Sequence, residues 1–113
     1  MNNTACTLLN IYRNIEVDVA SILKAQYDLT LSEYLILHFI VQEKETSITN
    51  IKGYMDYPTN KVTTRMKKLY GMRLIMKERK NDDERIVTVY ATEEGKALVQ
   101  SVVNLEVWKG IAE

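Results

Sequence analysis

Apolar residues recur near the start of the chain at Leu8, Ile11, Ile15, Val19, Ile22 and Leu23. Steps of three and four residues keep side chains on one side of a helix, so the spacing predicts an amphipathic helix, α1, over about 4–27. Asp28 and Thr30 break that stripe. In "TLSEY", Thr30 as N-cap with Glu33 three residues on has capping-box spacing and opens a second helix, α2, running to about Glu43. Its apolar set (Leu35, Ile36, Leu37, Phe39, Ile40, Val41) is nearly continuous, which predicts burial on more than one side. The polar stretch "KETSIT" around Ile48 predicts a short strand or extended connection, β1. Ser47 or Thr49 then caps a third helix, α3, in "NIKGYMDY", which Pro58 ends because the residue before proline avoids the α region. A fourth helix, α4, follows over 59–70. Val62, Met66 and Leu69 mark its core face, and Gly71 is the expected turn.

The period then changes. "RLIMKERK" and "RIVTVYA" are β-branched or alternating runs joined by "NDDE", a connection of hairpin length. They predict strands β2 and β3, with Ile75, Lys77 and Arg79 on one face of β2 and Leu74, Met76 and Glu78 on the other. Thr92, followed by Glu93 and Glu94, caps a last helix, α5, through Ala97, Leu98, Val102, Leu105 and Trp108. The expected architecture is mainly α with a small β-hairpin, in the order α1-α2-β1-α3-α4-β2-β3-α5. Two short helices followed by a hairpin make a winged helix-turn-helix.

Composition narrows the class. The 113 residues fit a single domain, 1–113, and with four glycines and one proline long flexible linkers are not expected. No run of eighteen apolar residues is present to cross a membrane, and "MNNTACTLLNIYRN" lacks the basic and apolar regions of a secretory signal. A lone cysteine, Cys6, cannot form an intramolecular disulfide and suits a reducing compartment, so a cytoplasmic protein is expected. One His and one Cys offer no metal set, and there is no phosphate-binding glycine loop, so neither an enzyme nor a cofactor is expected.

Formal net charge is zero, but its distribution is uneven. Between Lys61 and Arg85 stand nine bases and four acids, a local excess of five positive charges balanced by the rest of the chain. For an anionic partner that local excess matters more than the total. On α4, the inward set turns Asn60, Lys61, Thr64 and Lys68 outward, flanked by Thr63, Arg65 and Lys67. Amide, hydroxyl and cationic groups of this kind hydrogen-bond to base edges and phosphates, though Lys and Thr are equally common on plain solvated helix faces.

At "MKKLYGMRLIMKERKNDDERIVTVYATEEGKAL" the chain resembles the MarR family of winged helix-turn-helix regulators. It is most similar to the SarA branch, whose wing carries a "DER" triplet, here Asp83-Glu84-Arg85. "ATEEGKAL" is similar to the family's approach to its last helix. The specific similarity covers about residues 55–98, and the N-terminal half matches in pattern and length. One departure stands out: many family members have Gly before the Leu-Ile of β2, where this chain has Arg73, its glycine lying earlier at Gly71. The resemblance implies a homodimer formed through α1 and α5 that binds double-stranded DNA. Helix 59–70 would lie in the major groove and the wing, 77–88, at the minor groove. The apolar stripes of α1 and of "ALVQSVVNLEVW" independently ask for a cover beyond a small single subunit.

Carboxylates repel phosphates, so Asp82, Asp83 and Glu84 ask for an explanation in such a wing. An aspartate two residues before an arginine in a tight turn holds a guanidinium in a bidentate pair. The resemblance gives that role to Asp83, orienting Arg85 toward the minor groove, with Arg79 and Lys80 on phosphates. The plain alternative is that Asp83 and Arg85 merely clip the hairpin. No role follows for Asp82 or Glu84 beyond the turn. Cys6 stands where several family members have an oxidation-sensing thiol, although a small buried apolar residue is the commoner use. His38, within the apolar run of α2, is expected to be structural. Against the DNA-binding regulator stand an adaptor or anti-regulator acting through protein contacts, motivated by overall neutrality and a single Arg on α4, and a ligand- or oxidant-responsive repressor.

Overall fold

The structure, a computed structural model, describes residues 3–79 and 87–105, with side chains described from residue 7 onward except 14–16. The backbone falls into two compact units. One comprises the described residues 3–31 and 101–105, the other Ser32–Gln100.

In the first unit α1 is helical over 3–27, α-helical at Asn3–Tyr12 and Ala20–Ile22 and π-helical at Arg13–Val19 and Leu23–Tyr27. It closes at Asp28, whose φ of 56° is left-handed and whose N–H donates to the Lys24 carbonyl. The expected stripe divides. Val19 and Leu23 are buried, whereas Leu8, Leu9, Ile11, Tyr12 and Val17 are exposed, between 43% and 61% of their surface. Cys6 lies in α1 by its backbone, and its side chain is outside the described residues.

The second unit holds the helices and hairpin of the expected motif. α2 spans Leu31–Glu43 and buries Tyr34, Ile36, Leu37 and Ile40, as a nearly continuous apolar run requires. Ser47 is the N-cap of α3, Ile48–Met55, its hydroxyl accepting the Asn50 N–H at 3.2 Å. Ile48 is therefore helical, not extended. The extended residue is Thr46, the whole of β1, which exchanges both backbone hydrogen bonds with Val89. Pro58 does not end α3. Asp56 does so in the left-handed conformation (φ 56°), its N–H and that of Tyr57 both donating to the Lys52 carbonyl, and Pro58 is the N-cap of α4, Thr59–Gly71.

Gly71 is likewise not the turn. It is the last helical residue, and Arg73 takes the left-handed position (φ 61°) while Leu74 N–H closes the exit on the Leu69 carbonyl. The departure from the family pattern thus places an arginine side chain at a left-handed site.

Strands β2 (Ile75–Arg79) and β3 (Val87–Ala91) pair antiparallel from Ile75 opposite Ala91 to Arg79 opposite Val87. With Thr46 on its other edge, β3 lies in the middle. At the expected hairpin end, Lys80, Asp82, Asp83, Glu84 and Arg85 lie outside the described residues. Thr92 caps α5 (Glu93–Val103) as expected: its hydroxyl donates to the Arg73 carbonyl and accepts the Gly95 N–H. The buried residues of α5 are Gly95, Val99 and Val102; of the expected stripe Val102 is buried, Leu98 and Leu105 are half-buried and Ala97 is exposed, while Trp108 is outside the described residues. Gly95 is needed for space. A Cβ there would collide with the Leu74 carbonyl oxygen. Buried Val62, Met66 and Leu69 of α4 meet a core completed by Ile51, Leu74, Ile75 and Val89. Among the described residues no helix is long and apolar enough to cross a membrane.

Candidate nucleic-acid interface

With Val62, Met66 and Leu69 fixed inward, helical geometry decides where the rest of α4 points. Asn60, Lys61, Thr63, Thr64 and Lys67 are exposed, as expected, whereas Arg65 and Lys68 are half-buried. Lys68 belongs to a different structure altogether. Its ammonium lies 3.1 Å from the carboxylate of buried Glu33 in the first turn of α2. Glu33 ties α2 to α4 through this pair, and Lys68, expected to face outward, is half-buried in it.

Arg65 is also held. Its Nε–H donates to Ser32 Oγ at 2.8 Å, and Nη1 donates to the Lys61 carbonyl at 3.2 Å. Its guanidinium carbon sits 5.2 Å from the centre of the Tyr57 ring, and Lys61 Nζ sits 4.9 Å from the same centre. The ring's negative face attracts both cations without cancelling their charge. Neither Lys61 nor Arg65 makes an ion pair with a carboxylate among the described residues, nor does Lys67.

The polar neutral groups are partly committed to the helix itself. Thr63 and Thr64 hydroxyls each donate to the carbonyl four residues back at 2.8 Å, and Asn60 Oδ1 accepts the Lys61 N–H at 3.0 Å. The two threonines thus offer outward oxygen lone pairs and methyl groups, and Asn60 its amide NH₂. Base edges present matching donors, acceptors and the thymine methyl.

At the base of the wing, Lys77 and Arg79 share one strand face with Val87 opposite, as the alternation predicted. They line a cavity of about 240 Å³ with Ile48, Thr63, Met66, Lys67 and Tyr70. Lys77 Nζ lies 5.5 Å from the Tyr70 ring centre, and burial raises the Tyr70 phenol above its ordinary pKa of 10.0. Lys67 of α4 and Lys77 and Arg79 of the wing base therefore border one cavity. The expected pairing of Asp83 with Arg85 falls outside the described residues.

Residues 18–102 match the family described as transcriptional regulator SarA/Rot. The chain belongs to the SarA/Rot family of transcriptional regulators. Within this group the regulator SarR of Staphylococcus aureus is 29% identical over 83 residues, 72% of each chain. An uncharacterised helix-turn-helix regulator of Bacillus subtilis, YhbI, is 29% identical over 82 residues, which are 73% of this chain and about half (53%) of YhbI. The fold is shared with solved structures. BldR of Sulfolobus solfataricus superposes with a TM-score of 0.74 at 22% identity, over 97% of this chain and 77% of its own. FabT of Streptococcus pneumoniae, solved in complex with DNA, gives 0.76 at 17% identity over 88% and 71%. An S. aureus MepR mutant bound to an oligodeoxyribonucleotide gives 0.77 at 17% identity over 88% and 72%.

Three residues around this surface escape a reading of local pattern. Ser32 and Glu33 act on partners more than thirty positions away, and no local signal points to those partners. Tyr57 does leave a trace, since it precedes Lys61 and Arg65 at four-residue steps.

Proposed function

We propose that this SarA/Rot-family protein is a cytoplasmic, non-catalytic transcriptional regulator that reads double-stranded DNA as a homodimer. The observation that carries this reading is the set of cations with no carboxylate partner among the described residues, Lys61, Arg65 and Lys67, on a helix whose Lys67 lines one cavity with Lys77 and Arg79 of the wing base. The DNA-bound states of FabT and MepR, which share the fold, support it. Asn60, Thr63 and Thr64 face base edges in the major groove, while Lys61, Arg65, Lys67, Arg79 and Lys80 meet phosphates. Arg85, oriented by Asp83, reaches the minor groove. The dimer forms through α1 and α5, where the exposed apolar residues of α1 ask for a cover.

Fluorescence anisotropy with duplex DNA at several salt concentrations tests the reading. Each neutralised phosphate contributes about −0.9 to the slope of log affinity against log salt, so several contacts give a steep fall. Arg85→Ala is expected to weaken binding with the fold intact. A protein that binds no duplex at low salt sinks the proposal and returns the adaptor reading.

A further inference from the structure

We propose that Tyr57 is the positioning residue of a two-cation clamp, Lys61 with Arg65, whose ligand is a backbone phosphate and not a base edge. The inference rests on the DNA-binding reading and adds a positioning residue and the joining of two cations into one phosphate site. The turn before the helix builds the platform. Asp56 in the left-handed region and the double hydrogen bond to the Lys52 carbonyl fix the chain just ahead of Tyr57. Pro58 then restricts Tyr57 itself to extended backbone. The ring is half-buried, and its face meets Lys61 and Arg65 from successive turns of α4.

Two like charges beside one ring repel each other, and among the described residues no carboxylate pairs with either. Asp56, the nearest acid in sequence, pairs with neither. Ser32 Oγ and the Lys61 carbonyl accept from Arg65 instead, both neutral groups. Every contact that orders these cations therefore leaves their charge intact. A carboxylate at position 57 would hold them as firmly and cancel one charge. Lys68 shows that alternative one turn on, neutralised by Glu33.

Arg65 Nε and Nη1 are engaged, and Nη2 has no partner among the described residues. The remaining guanidinium donors and the Lys61 ammonium suit a tetrahedral anion with several acceptor oxygens. A guanidinium tied to α2 through Ser32 cannot also swing across the groove to follow one base. Pre-ordering both side chains removes rotamer entropy that binding would otherwise cost.

The test uses the full chain and two duplexes of equal length, one A·T-rich and one G·C-rich, with anisotropy titrations over a range of salt. Tyr57→Leu is expected to lower affinity about tenfold on both duplexes alike, the loss of two cation–π contacts. The salt slope should become shallower by about one per protomer, the signature of a lost phosphate contact. Tyr57→Phe keeps the ring face and is expected to bind as the wild type does. Arg65→Lys, which has no Nε–H for Ser32, is expected to behave like Tyr57→Leu. If Tyr57→Leu fails to fold by circular dichroism, Ser32→Ala is read in its place, with the same uniform loss expected. Wild-type slope and affinity in Tyr57→Leu, or a loss confined to one duplex, overturns the clamp while leaving DNA binding intact. A wild-type protein that binds neither duplex overturns both.

Discussion

Lys67 and Lys68 are neighbours of identical chemistry with opposite uses. Lys67 is exposed and has no carboxylate partner among the described residues, whereas Lys68 closes a pair in which the Glu33 side chain is 11% exposed. A partly buried pair stands between the near-zero worth of a surface ion pair and the large penalty for breaking a fully buried one. Glu33→Gln is therefore expected to cost about 1–2 kcal/mol in urea unfolding. Lys67→Ala should leave stability unchanged and weaken DNA binding. His38 adds a second expectation at this scale. Its ring packs edge-on to Tyr34 at 5.6 Å, and burial lowers its pKa below the ordinary 6.5. Just below pH 6.5 the unfolded chain then takes up a proton that the folded chain does not. Stability should be full above that pH and decline as pH falls through the window, and His38→Gln should flatten the decline in urea midpoints between about pH 7 and pH 5.5.

At the scale of elements, α4 and α5 show what local pattern conveys and what it misses. The inward set Val62, Met66 and Leu69 was legible because burial follows helical period whatever the partners are. The helix exit was not. Glycine is the residue that tolerates a left-handed backbone most easily, so Gly71 drew the turn, yet tertiary hydrogen bonds that Thr92 donates to the Arg73 and Leu74 carbonyls hold the left-handed residue at Arg73. That residue carries a Cβ penalty which glycine would not. Arg73→Gly is expected to stabilise the fold by about 0.5–1 kcal/mol in thermal or urea unfolding. Gly95 behaves oppositely. Its helical backbone invites alanine by propensity, but the added methyl meets a main-chain carbonyl that cannot rotate away. Gly95→Ala should lose about 2 kcal/mol or more. Gly53→Ala, in α3 with open space around it, should gain up to about 1 kcal/mol. The same limit applied to the site: exposure of Asn60 and Lys61 followed from period, while the grip of Ser32 and Glu33 on α4 depended on chain segments brought together only by folding.

For the whole molecule the question is what covers α1. Leu8, Leu9, Ile11, Tyr12 and Val17 expose more apolar surface than a single helix face ordinarily leaves to water. A second copy supplies a matching face by two-fold symmetry, since each protomer brings the same residues. The homodimer proposed above also has a functional consequence. Two winged motifs about one helical turn of DNA apart bind one duplex with the second contact made at high effective concentration. Ile11→Asp, alone or with Leu8→Asp, places carboxylates in that seam and is expected to give monomers by sedimentation equilibrium at micromolar protein. DNA affinity should then fall by about a hundredfold, because the gain from linked half-sites disappears while each α4 and wing stays intact. A half-site duplex should distinguish the two effects, its affinity for the protein being unchanged by the substitution. If Ile11→Asp leaves the dimer and the full-site affinity as they were, α1 is not the seam, and its apolar face must meet something other than a second copy.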